Sequence, residues 1–383
     1  MRKVAVFFGG KSCENEISVL TGVMVLNLLD KNKYKVFPVY VHTDGVGYTA
    51  SGMFDVEFFR EIQTKKMQRI FFEDGTMYAM NQQKRRLKPI AAIDVALNCC
   101  HGGLGEGGGV SAMMEWNNIP LASPDILSSS VFMDKGMTKL ILQSLNIPIV
   151  DYIRVNEEDY RKRGAFLLKR IEPKLKYPVV VKPARLGSSI GISLAHNEEE
   201  LKTALEIAFA LDERVLIEKY LINKTDVNCA AYMSHGEIII SEPEKSFGDG
   251  IYSFEDKYIK SNTNSDKRSG KGASAFAGGS RRGSSITPVT GVLRDKIRAY
   301  TRTVYKRMNL HGVVRMDFLL SEGEVYLCEV NTVPGSLAYY LFCESLTDAR
   351  RFLGDILEEA LSEERKEKKI LHTGILNTVQ RNK

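Results

Sequence analysis

Four side chains in the last quarter of the chain carry the most chemistry: Arg315 and Asp317, then Glu329 and Asn331. Each pair is spaced by two, so on a strand its members share a face. Between the pairs lies Ser321-Glu322-Gly323, which predicts a hairpin. A three-residue loop with Gly323 in the left-handed position pairs Leu320 with Glu324. Arg315 then faces Glu329, Asp317 faces Leu327, and Asp317, Glu329 and Asn331 converge on one patch. A two-residue loop would shift the register by one and turn Asp317 to the other face from Glu329. Two carboxylates and an amide oxygen beside an arginine make a hard-oxygen site suited to Mg²⁺ shared with phosphates. The plainer reading is a surface ladder in which Arg315 simply pairs with Glu329. Flanking apolar residues argue against plain surface, and a buried acid pair needs a cation.

A second constellation is Lys182 at the end of an apolar run, followed by Gly187-Ser188-Ser189-Ile190-Gly191. Exposed amides and hydroxyls after a lysine suit a phosphate chain. Lys135 and Lys257 are further point charges, each by itself no more than a solvated lysine. A third is Ser12-Cys13-Glu14-Asn15-Glu16. It either caps a helix or places Glu14 at the carboxyl end of a parallel sheet, where such folds bind ligands. Two simpler nucleotide signatures fail. Gly10-Lys11-Ser12 lacks the first P-loop glycine, because position 5 is Ala5, and Gly103-x-Gly105-x-x-Gly108 has only Asp125 as the acid that should follow.

The elements that must position these groups alternate at the start. Residues 4–8 and 35–41 read as strands, residues 16–29 as a helix with Ile17, Leu20, Met24 and Leu28 on one side, and residues 93–100 as a strand. That alternation predicts a parallel sheet covered on both faces. Residues 43–90 look irregular. Residues 125–145 read as a helix interrupted near Gly136, 178–183 and 215–220 as strands, and 198–210 as a helix. Strands at 226–233 and 237–241, a helix over 293–308, the hairpin and a charged helix over 346–368 complete the chain. We expect three units, 1–123, 124–220 and 221–383. Within the last, residues 259–287 hold five glycines, seven serines and six Lys or Arg against one acid. That composition buries little, so the segment is either a solvated insertion or a lid over an anionic ligand.

The chain has 383 residues, 44% apolar and 26% charged, with a net charge of +6. Those values fit a globular α/β protein of two or three domains. No apolar run reaches the roughly 18 residues of a membrane span. The six cysteines form no CxxC pair, and most lie in apolar stretches, which predicts core thiols in a cytoplasmic protein. The modest positive charge suits a small anionic ligand, and no basic stripe interleaved with aromatics points to nucleic acid.

Taken in order, these pieces resemble D-alanine–D-alanine ligases of the ATP-grasp superfamily. The carrying residues are Phe8-Gly9-Gly10-Lys11-Ser12-x-Glu14-x-Glu16, His101-Gly102-x-x-Gly105-Glu106, Met133-Asp134-Lys135 and Val181-Lys182-Pro183 with its glycine loop. Glu218, Lys257-Tyr258, Arg315-x-Asp317 and Glu329-x-Asn331-Thr332-x-Pro334-Gly335 follow. The resemblance implies a three-domain ATP-grasp fold with an N-terminal Rossmann-like domain. It implies that ATP is held by Lys135, Lys182, Ser189, Lys257, the stretch Glu218, Lys219, Tyr220 and Leu221, and Asp226 at the ribose. Two Mg²⁺ ions, replaceable by Mn²⁺, would sit on Asp317, Glu329 and Asn331. Glu14, Ser188 and Tyr258 would take the first amino acid, and Arg315 with the Gly335 amide would face the oxyanion. His101, Tyr340 and Leu341 would line the substrate pocket. The expected product is a dipeptide for peptidoglycan, made by a homodimer.

Three features depart from the family pattern. The loop after His101 reads Gly105-Glu106-Gly107-Gly108-Gly109 where the family has Gly-Glu-Asp-Gly-Thr. A Ser-Leu pair, whose serine grips the second substrate's carboxylate, is here Tyr340-Leu341. The stretch between Tyr258 and Pro288 is longer than the usual lid. The same mechanism with a different second amino acid is therefore one alternative, and a nucleotide-binding regulator without turnover is another.

Overall fold

The computed structural model describes residues 1–81, 86–245 and 288–362. Lys257, Tyr258, the segment 259–287 and the tail beyond 362 lie outside the described residues.

The first sheet has seven strands, β1 (Arg2–Gly9), β2 (Tyr34–Val41), β3 (Gly47–Thr49), β4 (Gln68–Glu73), β5 (Thr76–Asn81), β6 (Arg86–Ala92) and β7 (Val95–Asn98), in the order β6-β5-β4-β3-β2-β1-β7. Only β2, β1 and β7 run parallel. The unbroken apolar run Val4–Phe8 is what a central parallel strand covered on both faces requires, and all five residues are fully buried. Residues 43–90, which looked irregular, hold instead four antiparallel strands, the last running on to Ala92. Their short lengths and polar turns hide the period-two signal. Helix α1 (Asn15–Leu28) packs between β1, the turn at 335–341 and the last helix. It is buried on most sides rather than along one stripe, and Leu20, expected inside, is 43% exposed. Helix α2 (Val110–Trp116) follows the glycine loop after β7.

Helices α3 (Ile126–Met133) and α4 (Lys135–Ser144) then run in sequence. The break between them falls at Asp134, two residues before the expected glycine. Its carboxylate accepts from the Gly136 and Met137 amides and restarts the helix at Lys135. The second sheet, β10-β9-β11-β8, is antiparallel and built from β8 (Tyr152–Asn156), β9 (Val179–Pro183), β10 (Ser193–Ala195) and β11 (Arg214–Lys219). Helices α5 (Glu157–Leu175) and α6 (Glu198–Phe209) cover one face, where Val179, Val181, Val215 and Ile217 are buried. Alternation sends Lys182 and Glu218 to the opposite face.

The third sheet holds β12 (Thr225–Ser234), β13 (Glu237–Ile240), β14 (Glu244–Lys245), β15 (Val314–Ser321) and β16 (Glu324–Asn331), backed by α7 (Gly291–Arg307). Helix α8 (Leu346–Ser362) packs on β12 and α1 and closes the described chain.

The hairpin corrects the expected register. Glu322 and Gly323 both have positive φ, +52° and +80°, which makes a two-residue turn with Ser321 opposite Glu324. Uncorrected, that register would turn Asp317 away from Glu329. A β-bulge intervenes: Phe318 pairs with Leu327 but Asp317 pairs with Glu329, so Cys328 is the extra residue. Asp317 therefore lies directly opposite Glu329, and Arg315 opposite Asn331. The expected convergence holds, through a different loop and a bulge.

Candidate active site

The site draws side chains from all three sheets and the segments beside them. At one end, β9 and β11 are neighbours, and Lys182 and Glu218 sit diagonally on the same face. Their Nζ and Oε2 are 2.6 Å apart. Lys139, one helical turn beyond Lys135 on α4, approaches the other Glu218 oxygen at 3.1 Å and also donates to the Val150 carbonyl. Lys139 is wholly inaccessible and Glu218 only 3% exposed. Burial presses the Lys182 pKa down, but the Glu218 carboxylate overcomes it and the net shift is upward. Burial likewise pushes Glu218 up, and the two lysines hold it below the usual range. Lys135 donates to the Leu186 carbonyl at 2.6 Å and lies 3.5 Å from Glu329. It thereby ties the glycine loop to the hairpin. Ser188 and Ser189 in that loop both have positive φ, +51° and +61°. Lys219 is exposed at the end of β11, Tyr220 and Leu221 half-buried after it, and Asp226 pairs with Lys224 at 2.6 Å.

On the hairpin, Arg315 grips Asp317 with two hydrogen bonds, Nε to Oδ1 at 2.7 Å and Nη2 to Oδ2 at 2.9 Å. The Asn331 amide donates to Asp317 at 3.1 Å. Burial raises the Asp317 pKa; Arg315 opposes this and the charge of Glu329 adds to it. The third Arg315 nitrogen, Nη1, donates to the Tyr340 hydroxyl at 3.3 Å. Arg315, Asp317, Glu329, Asn331 and Tyr340 are thus brought together, with Lys135 alongside.

Glu14 stands at the other end. It precedes α1, yet its carboxylate makes no cap. It instead accepts a hydrogen bond from the Ser188 hydroxyl, 174 residues away. Two glycines make room for it. A Cβ at Gly187 would stand 2.6 Å from the Glu14 carboxylate, and one at Gly102 2.8 Å from it.

His101 and Glu106, from the loop after β7, grip the segment that follows Asn331. The His101 ring meets Thr21 Oγ1 at 2.8 Å and the Val333 carbonyl at 2.7 Å, so both its nitrogens are engaged inside the chain. These two contacts brace the segment after Asn331 against α1. Burial pushes the His101 pKa down to about 4. The Glu106 carboxylate accepts from the Gly102 and Val333 amides, and burial drives it up to about 7. Leu341 packs against the N-terminal core rather than standing free. A Cβ on Gly335 would meet nothing within 4 Å, so its backbone faces open space.

Sequence reading missed Lys139 and Thr21. The first was findable, because Lys135 and Lys139 are spaced i, i+4 on one helix face. Nothing along the chain signals Thr21.

An antiparallel sheet carrying Lys182 and Glu218, facing a bulged acidic hairpin across Lys135, defines an ATP-grasp protein. Residues 3–124 match the family model described as D-ala D-ala ligase N-terminus, and residues 141–273 and 281–358 match the one described as D-ala D-ala ligase C-terminus. The chain belongs to the D-alanine–D-alanine ligase family. It is 34% identical over 351 residues to the D-alanine–D-alanine ligase of Thermosipho africanus, covering 89% of this chain and 88% of the relative. It is 32% identical over 382 residues to that of Thermosipho melanesiensis, covering 97% and 96%. The solved D-alanine–D-alanine ligase of Helicobacter pylori superposes with a TM-score of 0.73 at 25% identity, over 93% of this chain and 98% of that one. Among the described residues no helix is long and apolar enough to cross a membrane.

Proposed function

We propose that this protein joins two molecules of D-alanine, using ATP, to make a dipeptide precursor of peptidoglycan. The observation that carries the reading is the Asp317–Glu329 pair with Arg315 beside it and Lys135 and Lys182 facing it. In this reading ATP lies between the second and third sheets. Lys135, Lys182 and the Ser189 loop hold its phosphates, Glu218 to Leu221 its adenine and Asp226 its ribose. Lys257 and Tyr258 keep the roles the family resemblance gives them.

The donor set fits Mg²⁺. Asp317 and Glu329 are opposed carboxylates, and burial raises Asp317 toward protonation. A divalent ion relieves both, and Asn331 supplies a third hard oxygen once its amide turns over. The bound ions would neutralise charge on the transferred phosphate.

The first amino acid places its ammonium on Glu14, which Ser188 orients. A carboxylate oxygen attacks the γ-phosphorus, breaking its bond to the β-phosphate bridge and giving ADP and an acyl phosphate. The amine of the second molecule then attacks the acyl carbon. Arg315 and the Gly335 N–H stabilise the oxyanion. Phosphate leaves with the original carboxylate oxygen, and the amine sheds its proton. Positioning and charge neutralisation do most of the work. Units divided near 123 and 220, a cytoplasmic site of action and a homodimer belong to the same reading.

Tyr340 on Arg315 favours a second reading, the same reaction with a different second amino acid. Phosphate release measured with ATP, Mg²⁺ and a panel of amino acids separates the two. Release with D-alanine alone is expected. Release only with a mixed pair transfers the case to the second reading, and nucleotide binding without release for any pair refutes both.

A further inference from the structure

Ser336, Leu337 and Ala338 form a run of three left-handed residues, with φ of +52°, +51° and +49°. L-residues avoid this shape because Cβ crowds the following carbonyl, and consecutive examples persist only where the surroundings hold them. The run leads straight into Tyr339 and Tyr340. We infer that Thr21 and His101 are positioning residues for the second amino acid: they brace the 335–341 turn in the shape that sets the Tyr340 hydroxyl on Arg315. This rests on the ligase reading above.

The bracing has a single direction. The Val333 carbonyl can only accept, so the His101 nitrogen 2.7 Å from it, Nδ1, carries the ring proton. In a neutral ring Nε2 is then an acceptor, and the Thr21 hydroxyl, 2.8 Å away, donates to it. That leaves a Thr21 lone pair for the Ser336 N–H at 3.2 Å. One imidazole and one hydroxyl therefore tie the carbonyl of Val333 to the amide of Ser336, the two ends of the approach to the left-handed run. Glu106 takes the Val333 amide at 3.2 Å, so that residue is held on both sides of its backbone. Leu337 and Ala338 are buried in the N-terminal core, which fixes the far side of the turn.

The consequence falls on Tyr340. Arg315 donates Nη1 to its oxygen, so the phenolic O–H stays available as a donor to another group. A donor hydroxyl beside a guanidinium suits a carboxylate, here that of the incoming amino acid. Among the described residues, the Thr21 and His101 side chains make no hydrogen bond to the groups assigned to ATP or to the first amino acid's ammonium.

The test is Thr21→Val beside Thr21→Ser, with the two D-alanine Michaelis constants resolved from the velocity curve. Thr21→Val is expected to raise the second constant about tenfold, the loss of one hydrogen bond to a positioned turn. The first constant and that for ATP should stay within about twofold. Thr21→Ser keeps the hydroxyl and should behave as wild type. In a Tyr340→Phe background Thr21→Val should add little, because both act through one hydroxyl. Equal rises in all three constants, an unchanged second constant, full additivity with Tyr340→Phe, or a Ser variant as impaired as Val would each overturn the inference. If Thr21→Val fails to fold, Thr21→Ala removes the same hydroxyl and must show the same pattern. A wild-type protein without turnover instead refutes the ligase reading itself.

Discussion

The two ends of the site are held by different physics. At the phosphate end, the buried Lys139 and Glu218 and the half-buried Lys182 are charged and matched within a few ångströms. At the amino-acid end, the approach from Val333 to Ser336 is tied by hydrogen bonds with Thr21 and a neutral His101, with the Glu106 carboxyl on the Val333 amide, and leads into a left-handed run. A charged end tolerates little change, because an orphaned buried ion costs several kcal/mol. A neutral relay costs less to alter, so it is where one scaffold can admit a different second amino acid.

That contrast orders the expected effects. Glu329→Gln removes one of the two opposed carboxylates, and turnover should fall about 10²–10³-fold with the unfolding midpoint little changed. Turnover at the wild-type rate would erase the metal assignment. Lys139→Met leaves Glu218 with one partner and the Val150 carbonyl without its donor. It should cost about 3 kcal/mol in urea unfolding. An unaltered midpoint would mean that the charged end is no more rigid than the neutral one.

The third effect is on pH. His101 titrates near 4 in the folded chain because burial disfavours its cation, with Arg315 adding to this and the Val333 bond opposing it. The unfolded chain, with an ordinary histidine, binds the proton first on acidification, so stability falls as pH drops from about 6.5 toward 4. Glu106 is shifted the other way, to about 7, but contributes equally when wild type is compared with His101→Asn. Between pH 7 and 5, wild type should lose about 2 kcal/mol more than the variant. Parallel curves would mean that the ring is not held neutral. Smallest is Tyr340→Phe, for which the second amino acid's KM should rise about tenfold and that for ATP should not move.

The same contrast explains what was readable along the chain. The charged end was legible because its residues come in close pairs: Arg315 with Asp317, Glu329 with Asn331, and Lys182 before its glycine loop. Even there the register was misjudged. Glu322-Gly323 closes a two-residue turn, and only the bulge at Cys328, which no residue type announces, restores Asp317 to Glu329. At the neutral end His101 and Tyr340 were named only through the family resemblance, and the link through Thr21 was illegible because Thr21 lies 80 residues from His101 and 315 from Ser336. Each is ordinary in its own neighbourhood. Glu14 lay between: the sequence allowed either a cap or a ligand group, and the structure shows no cap but a carboxylate that accepts a hydrogen bond from Ser188. In the fold, the long apolar strands were plain, whereas β3 to β6 were too short and too polar to announce themselves.

The proposed reaction activates a carboxylate as an acyl phosphate beside the Asp317–Glu329 pair. D-Alanine labelled with ¹⁸O in its carboxylate, turned over with ATP, tests it through the mass of the released phosphate. One ¹⁸O atom in each phosphate, passed on when the amine displaces it, is the result predicted. Phosphate formed alongside dipeptide without that label would contradict the account.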